Sequence, residues 1–156
     1  SAPQSASRGG ATFTFEGMGD YVCIIVDPET VLMVRQFRYV AGRATWEMPT
    51  GGVHPGEGLA DAANRELGEE TGRSAGRLTP LGAFVSSKSV VDERAHIFLG
   101  EDLTDATGAS RDPYEIVACE ALPYADVLGM VLEGEIEDAM TVFAVLRFEL
   151  RRRRGR

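Results

Sequence analysis

The sequence predicts a single α/β domain. Runs of β-forming residues occur on both sides of one amphipathic helix, and two more helical segments follow near the end of the chain. Strands that bracket a helix in this way are typical of a sheet covered by helices. The chain has 156 residues, which is enough for one sizeable core and too few for two ordinary domains.

The N-terminal part predicts a tail, a strand and a hairpin. Residues 1–10 are small and polar without periodicity, so we expect a disordered tail before a domain that spans residues 11–151. Residues 11–16 alternate apolar and polar side chains, as a strand does. The apolar runs 21–26 and 31–39 flank a turn that contains proline, and we expect them to pair as a hairpin.

The rest of the chain predicts one helix, three strands and two final helices. The first helix begins at about Gly58 or Leu59 and ends at Thr71, because Gly72 is a typical helix stop. Its apolar side consists of Leu59, Ala62, Ala63 and Leu67. We expect strands at 78–85, 95–99 and 114–122, an acidic mobile loop at 100–112, helices at 123–132 and 135–151, and a basic tail at 152–156.

The chemistry is concentrated in residues 51–73, where a glycine-rich loop leads into the first helix. Glu66, Glu69 and Glu70 stand at positions i, i+3 and i+4, which places three carboxylates on one helix face. They lie near the helix C-terminus, where the dipole favours cations. Oxygen ligands of this kind suit Mg²⁺ or Mn²⁺. The alternative is a solvated acidic helix, but the preceding glycines and the neighbouring Arg65 favour a metal site.

This stretch resembles the Nudix box, G-x5-E-x7-R-E-U-x-E-E-x-G-U, where U is a bulky aliphatic residue. The fixed positions that agree are Gly51, Glu57, Arg65, Glu66, Leu67, Glu69, Glu70 and Gly72, and the last position is Arg73 instead of an aliphatic residue. The resemblance implies the Nudix fold, an α/β/α sandwich with a mixed β-sheet. It also implies that Glu66, Glu69 and Glu70, with a backbone carbonyl near Gly51, hold the metal.

The residues before the box resemble a narrower group. VRQFRY followed by WEMPTGGVHPGE is similar to the ADP-ribose pyrophosphatase branch of the Nudix hydrolases, although Ser87-Lys88-Ser89 stands where that branch often has Ser-Pro-Gly. The resemblance implies Mg²⁺-dependent cleavage of ADP-ribose or a related nucleoside diphosphate sugar into a nucleoside monophosphate and a sugar phosphate. By analogy with that branch we also expect a homodimer.

Further residues are predicted to bind substrate, namely Arg35, Arg38, Glu47 and Glu57. Arg38 is the main candidate for the diphosphate, because guanidinium groups match phosphate oxygens. The alternative for both arginines is that they are solvated charges at a strand end. Glu47 either binds a ligand or caps a loop, and the sequence does not separate these two roles.

Arg65 and the general base complete the predicted catalytic set. Arg65 is placed to orient the box carboxylates, among them Glu66 and Glu70, by charge-assisted hydrogen bonds. The resemblance leaves two placements for the base: Glu66 in the box, or an acidic residue in a later loop. In that loop we favour Glu115 over Asp112, with Glu93 and Glu120 as weaker candidates, because Glu115 stands where the loop meets the next strand. A solvated carboxylate is an equally good description of Glu115.

Composition limits the remaining possibilities. The formal charge is −8 and no basic stripe stands outside the tail, which argues against a nucleic-acid surface. No apolar run reaches membrane-spanning length and the N-terminus has no hydrophobic signal core, so we expect a cytoplasmic protein without membrane contact. Cys23 and Cys119 lack ligand spacing, which favours buried thiols.

Two other functions are consistent with the same box. The first is hydrolysis of nucleoside triphosphates or dinucleoside polyphosphates, which would release a different set of products. The second is a non-catalytic Nudix module that binds nucleotides. Such modules usually lack some of the box glutamates, and this chain has them all.

Overall fold

The computed structural model describes residues 5–8, 11–14, 19–26, 29–39, 41–86, 91–107 and 116–155. The elements, in chain order, are β1 (Ser5–Arg8), β2 (Ala11–Thr14), β3 (Gly19–Val26), β4 (Thr30–Arg38), β5 (Arg43–Glu47), β6 (Thr50–Gly52), α1 (Leu59–Thr71), β7 (Arg73–Val85), β8 (Glu93–Asp105), β9 (Ile116–Pro123), α2 (Tyr124–Leu132) and α3 (Ala139–Arg154).

The strands form two main sheets and a small separate pair. The first sheet has the order β6-β3-β8-β7, and the second has the order β5-β4-β9. In the first sheet β3 runs parallel to β8 and antiparallel to β6, so this sheet is mixed. The pair of β1 and β2 is antiparallel. Among the described elements, no helix is both long and apolar enough to cross a membrane.

Strand β3 separates two hydrophobic cores because successive side chains point to opposite faces of a sheet. Val22, Ile24 and Val26 pack with the apolar side of α1. Cys23 and Ile25 point the other way and pack with side chains of α2 and α3. Helices therefore cover both faces of the mixed sheet, which confirms the predicted α/β/α sandwich.

Helix α1 has the predicted bounds. Its buried residues include Ala62, Ala63 and Leu67, and the chain leaves it through Gly72, whose φ of 73° is readily accessible only to glycine. The helix is also tied to the next strand. The Asn64 side chain accepts from the backbone N–H of Ala75 (2.8 Å) and donates to its carbonyl oxygen (3.1 Å). These contacts hold α1, and with it the glutamates, in a fixed orientation relative to β7.

The predicted hairpin of residues 21–26 and 31–39 is wrong. Strand β3 pairs with β6 and β8, whereas β4 pairs with β5 and β9 in the other sheet. The physical reason is that β3 is buried on both faces. Such a strand belongs in the middle of a covered sheet, where it needs a neighbour on each edge.

Other boundaries also differ from the predictions. Ser5–Arg8 is a strand paired with Ala11–Thr14, where a disordered tail was expected. Strand β8 continues to Asp105 into the segment predicted as a loop, because its pairing with β7 extends that far. Helix α3 begins at Ala139 because the Asp138 carboxylate caps it, and it continues to Arg154 through part of the predicted tail.

The two cysteines are not disulfide-bonded, and Cys23 is fully buried. Burial raises the pKa of the Cys23 thiol from 9.0 to about 12. The folded protein thus keeps a proton that the unfolded chain releases above pH about 9, and this thiol lowers stability as the pH rises through that range.

We therefore expect Cys23 to resist alkylation by iodoacetamide at pH 8, with a rate about a thousandfold below that of the unfolded chain, because thiolate is the reactive form. Peptide mass spectrometry after labelling in buffer and in urea measures the difference. Equal labelling of Cys23 in both conditions would contradict its burial.

Candidate active site

The glutamates of the box lie where β6 packs against the C-terminal half of α1. The side chain of Glu66 lies directly over Gly51, and a Cβ atom at position 51 would overlap its carboxyl group. Any larger residue at position 51 would displace the Glu66 carboxyl group. This close approach brings the Glu66 carboxylate against the backbone of the strand that precedes the loop.

Arg65 holds the acidic residues together. Its Nε and Nη2 donate to the two oxygens of Glu57 (2.9 and 3.0 Å), and Nη2 also donates to the Gly52 carbonyl (2.7 Å). Its Nη1 donates to Glu66 (2.7 Å) and Glu69 (3.1 Å). The guanidinium thus connects the loop, strand β6 and two box carboxylates, which fits the predicted orienting role.

Glu57 closes the loop before the helix. Besides the fork from Arg65, it accepts from the backbone N–H of His54 (2.9 Å). Hydrogen bonds from Arg65, then from His54, lower the pKa of Glu57 to about 2. Its charge is therefore fixed over the physiological range, and its oxygens are occupied by the protein. In this structure Glu57, which was predicted to bind substrate, contacts the loop and Arg65.

Glu70 is partly buried and lies beside β6. One of its oxygens accepts from the Thr50 N–H (3.0 Å). Burial, together with the negative charges of Glu66 and Glu47, raises the pKa of Glu70 to about 8, although the hydrogen bond from Thr50 and the charge of Arg38 act to lower it. Several carboxylates thus share a poorly solvated place, where a bound cation would be electrostatically favourable.

Arg38 and Glu47 form an ion pair between β4 and β5. The Arg38 guanidinium donates through Nε (2.8 Å) and Nη2 to the two carboxyl oxygens of Glu47, which is buried. Thr45 also donates to Glu47. Arg38 and Glu47, two of the four predicted substrate-binding residues, are therefore neighbours of the box, since their charges act on Glu70. Arg35 instead lies over the ring of Trp46, 5.8 Å from its centroid.

Helix α3 supports this site through Asp138 and Thr141, for which the sequence predicted no role in the site. Asp138 accepts from the Thr141 N–H (2.7 Å), and the Thr141 hydroxyl accepts from the Met48 N–H (3.0 Å). The Met48 carbonyl in turn accepts from the Thr50 hydroxyl (2.8 Å). Thr50 then contacts Glu70, so α3 is connected to a box carboxylate. An aspartate three residues before a threonine is a capping signal, but it does not reveal the partner Met48.

Thr141→Val is expected to leave the buried Met48 N–H without an acceptor and to lower the free energy of unfolding by about 1–3 kcal/mol. Thr141→Ser restores the hydroxyl and is expected to remain within about 1 kcal/mol of the original protein. Urea unfolding followed by circular dichroism measures both. If the valine and serine variants are equally stable, the hydroxyl does not support the loop.

The structure describes only some of the residues that were predicted as the general base. Glu115 and Asp112 lie outside the described residues. Glu93 begins β8, which β3 separates from β6 in the first sheet, and Glu120 lies opposite Met33 in the β4–β9 pair. Of the candidates for the base, Glu66 is the one that the structure brings together with the other box residues.

Carboxylate oxygens such as those of the box suit a divalent cation. In the structure, however, these side chains are not arranged around one common point. Across the ranges that the structure describes, no three His, Cys, Asp or Glu side chains converge tightly enough to hold an ion. Glu66 and Glu69 contact Arg65, and Glu70 contacts Thr50. Glu66 packs on Gly51, and the ionised form of Glu70 is disfavoured in its surroundings. A hard cation bound here would stabilise both carboxylates.

Comparisons with known proteins agree with this geometry. The NUDIX domain matches residues 18–143. The chain is 35% identical over 131 residues to an ADP-ribose pyrophosphatase from Bacillus subtilis, covering 83% of this chain and 71% of that protein. It is 33% identical over 128 residues to a GDP-mannose pyrophosphatase from Klebsiella pneumoniae, covering 73% of this chain and 61% of that protein.

A solved structure supports the fold independently. The crystal structure of an ADP compounds hydrolase superposes with a TM-score of 0.80 at 20% identity, covering 97% of this chain and 92% of that one. At this identity the likeness is evidence for the architecture alone.

Proposed function

The chain belongs to the Nudix family, and from that premise we propose that it hydrolyses the diphosphate bond of ADP-ribose or a related nucleoside diphosphate sugar. It is a Nudix hydrolase, since the NUDIX domain covers most of the chain. The products of the proposed reaction are a nucleoside monophosphate and a sugar phosphate. The substrate class is supported by the relatives named ADP-ribose pyrophosphatase and GDP-mannose pyrophosphatase.

One observation carries the catalytic part of the proposal: Glu66 and Glu70 lie together beside Gly51 and Thr50, with Arg65 orienting the neighbouring carboxylates. A non-catalytic module has no need for a complete set of acidic residues in a poorly solvated place. The same arrangement serves a reaction in which negative charge must be balanced at a phosphorus centre.

We propose Mg²⁺ as the cofactor, with Mn²⁺ as a substitute, because Nudix hydrolases generally need a divalent cation. Glu66, Glu69, Glu70 and the carbonyl oxygen of Gly51 would hold it. When bound, the ion balances diphosphate charge and lowers the pKa of water. Arg65 keeps Glu66 and Glu69 in position for this role.

The substrate diphosphate is proposed to lie between the box and Arg38. In the structure Arg38 is paired with Glu47, and about half of its side chain remains exposed at 46%. A forked guanidinium anchored by a buried carboxylate is held in a fixed orientation, which suits a phosphate oxygen approaching its free edge. Arg35, stacked on Trp46, is the second candidate.

Hydrolysis requires a base to take one proton from water as its oxygen bonds to phosphorus and the bond to the bridging oxygen breaks. We propose Glu115 for this role and Glu66 as its alternative.

Glu115→Gln is then expected to lower kcat by about a hundredfold while Mg²⁺ affinity stays unchanged. Steady-state kinetics across a Mg²⁺ titration measure both quantities, with Glu101→Gln as the matched control. Unchanged kcat in Glu115→Gln would move the base to another residue.

A substrate panel tests the proposed function. ADP-ribose, GDP-mannose, UDP-glucose, NADH and common deoxynucleoside triphosphates are each incubated with the protein and Mg²⁺, with EDTA in a parallel series. We expect cleavage of a diphosphate sugar into a nucleoside monophosphate and a sugar phosphate, lost with EDTA. Pyrophosphate release from a triphosphate would favour that other substrate class instead, and no turnover of any substrate would favour a nucleotide-binding module.

We also propose a homodimer. Phe37 and Tyr39, which extend from the end of β4, are exposed at 48% and 92% and contact each other edge to face with centroids 5.4 Å apart. Exposed aromatic pairs are common in protein interfaces. Light scattering coupled to gel filtration is expected to give twice the monomer mass for the original protein and a lower mass for Tyr39→Ser.

A further inference from the structure

A basic cavity lies between the second half of α3 and strand β7. It has a volume of about 260 Å³ and is lined by Leu81, Arg147, Leu150, Arg151 and Arg154, which we call the arginine cavity. Helix α3 covers the face of the first sheet opposite to α1. The cavity is therefore separate from the box and contains none of its residues.

An irregularity in β7 helps to form this cavity. The register between β7 and β8 shifts between Pro80 and Gly82. At this point the Arg147 Nε donates to the carbonyl oxygen of Leu81 (3.0 Å), and the Arg151 Nη1 lies 3.4 Å from that of Pro80. A Cβ atom at Gly82 would come within 3.0 Å of Arg147 Nη2. The absence of a side chain at this position leaves room for the guanidinium.

Among the residues that the structure describes, no acidic side chain pairs with the arginines of this cavity. Arg147, Arg151 and Arg154 stand at positions i, i+4 and i+7 of α3 and so share one face. Within the described ranges none of the three forms an ion pair with a carboxylate. By contrast, Arg152 and Arg153 on the neighbouring face both contact Glu149 (4.0 and 2.8 Å).

These three side chains are exposed, so their guanidinium groups are open to an anion. Like charges on adjacent turns repel each other weakly, and the helix dipole favours cations mainly in the last turn, which does not include Arg147. The chain as a whole is acidic, with a formal charge of −8. A local group of three unbalanced guanidinium ions in such a protein indicates a ligand of opposite charge.

We propose that the arginine cavity binds a short polyphosphate chain. Guanidinium groups donate in a fork that matches phosphate oxygens, and one arginine is available for each of two or three phosphate groups. The cavity volume of about 260 Å³ suits a small anion, and Leu81 and Leu150 add an apolar part to its lining. Inorganic triphosphate and the phosphate chain of ATP have this same chemistry.

Isothermal titration calorimetry with inorganic triphosphate, and separately with ATP, tests the proposal in EDTA. The original protein is compared with the double variant Arg147→Gln/Arg151→Gln. The matched control is Arg152→Gln/Arg153→Gln, which removes the same charge from the same helix but leaves the cavity intact. We expect the cavity variant to bind triphosphate at least about tenfold more weakly and the control to bind as the original protein does.

A single variant separates binding from folding effects. Arg154→Gln removes a guanidinium that makes no hydrogen bond with the described residues, and we expect it to weaken triphosphate binding several-fold with an unchanged melting temperature. Similar affinities for triphosphate and ATP would mean that the phosphate chain alone is recognised. If ATP binds more tightly than triphosphate and Arg154→Gln weakens its binding too, the whole nucleotide is recognised.

Other results would overturn the proposal. These are equal weakening in the cavity variant and the control, or the absence of triphosphate binding by the original protein at millimolar concentration. Binding to vesicles of anionic phospholipid without binding of triphosphate would also overturn it, in favour of a membrane surface.

Discussion

Glu66→Gln and Glu70→Gln are each expected to lower kcat for the diphosphate sugar by about a thousandfold. Glutamine keeps the shape of the side chain but removes the negative charge that the proposed cation requires, and a cation contributes several kcal/mol of transition-state stabilisation. Steady-state kinetics with the substrate found in the panel measure the loss. Glu101→Gln, on β8 beside Arg77, is the control and is expected to retain full activity.

The folded state of these two variants is expected to persist. Glu70 is partly buried with its pKa raised to about 8, so without a cation the folded protein must protonate this carboxyl group at neutral pH, a cost that the amide does not have. The midpoint of urea unfolding for Glu70→Gln should thus equal or exceed that of the original protein. If both variants keep their original turnover, the metal lies elsewhere and the proposed ligand set is incorrect.

Arg65→Met is expected to reduce both stability and activity. The substitution keeps the side chain unbranched but leaves the Gly52 carbonyl, Glu57 and Glu66 without their shared donor. We expect the free energy of unfolding to fall by about 1–3 kcal/mol, a range that allows for partial solvent exposure. We expect kcat/KM to fall by about a hundredfold, because the carboxylates lose their orientation.

Arg77→Met is the control for Arg65→Met. Arg77 is also paired with acidic residues, Glu101 and Asp102, but it is exposed and distant from the box in the sheet. Its loss is expected to cost no more than about 1 kcal/mol and to leave kcat/KM unchanged. Equal effects in the two variants would mean that Arg65 contributes only a general charge and does not position the site.

Local signals in the sequence predicted local structure well. The bounds of α1 follow from its apolar spacing and from Gly72, and both depend only on neighbouring residues. The box spacing likewise brings Glu66 and Glu70 to the same region, because helix geometry fixes residues four apart. The order of the predicted strands along the chain was also largely correct.

Contacts between distant residues were not predictable in the same way. The partners of β3 and β4 depend on which surfaces remain to be buried when the whole chain is folded, and no adjacent residue indicates them. The contact from Thr141 to Met48 joins two parts of the chain that share no periodic pattern. Arg38 and Glu47 were chosen as separate ligand candidates, and only the pairing of β4 with β5 brings them together.

The parallel pairing of β3 with β8 has a consequence for the way the protein reaches its native state. Val22 lies opposite His96, so the innermost ladder joins strands separated by about 70 residues of chain. Contacts of such long range slow folding, because a large loop must close before they form. During synthesis, β3 leaves the ribosome well before its partner, and its apolar residues are then open to association with other chains. Overproduction at low temperature or with a chaperone is therefore expected to increase the recovery of folded protein.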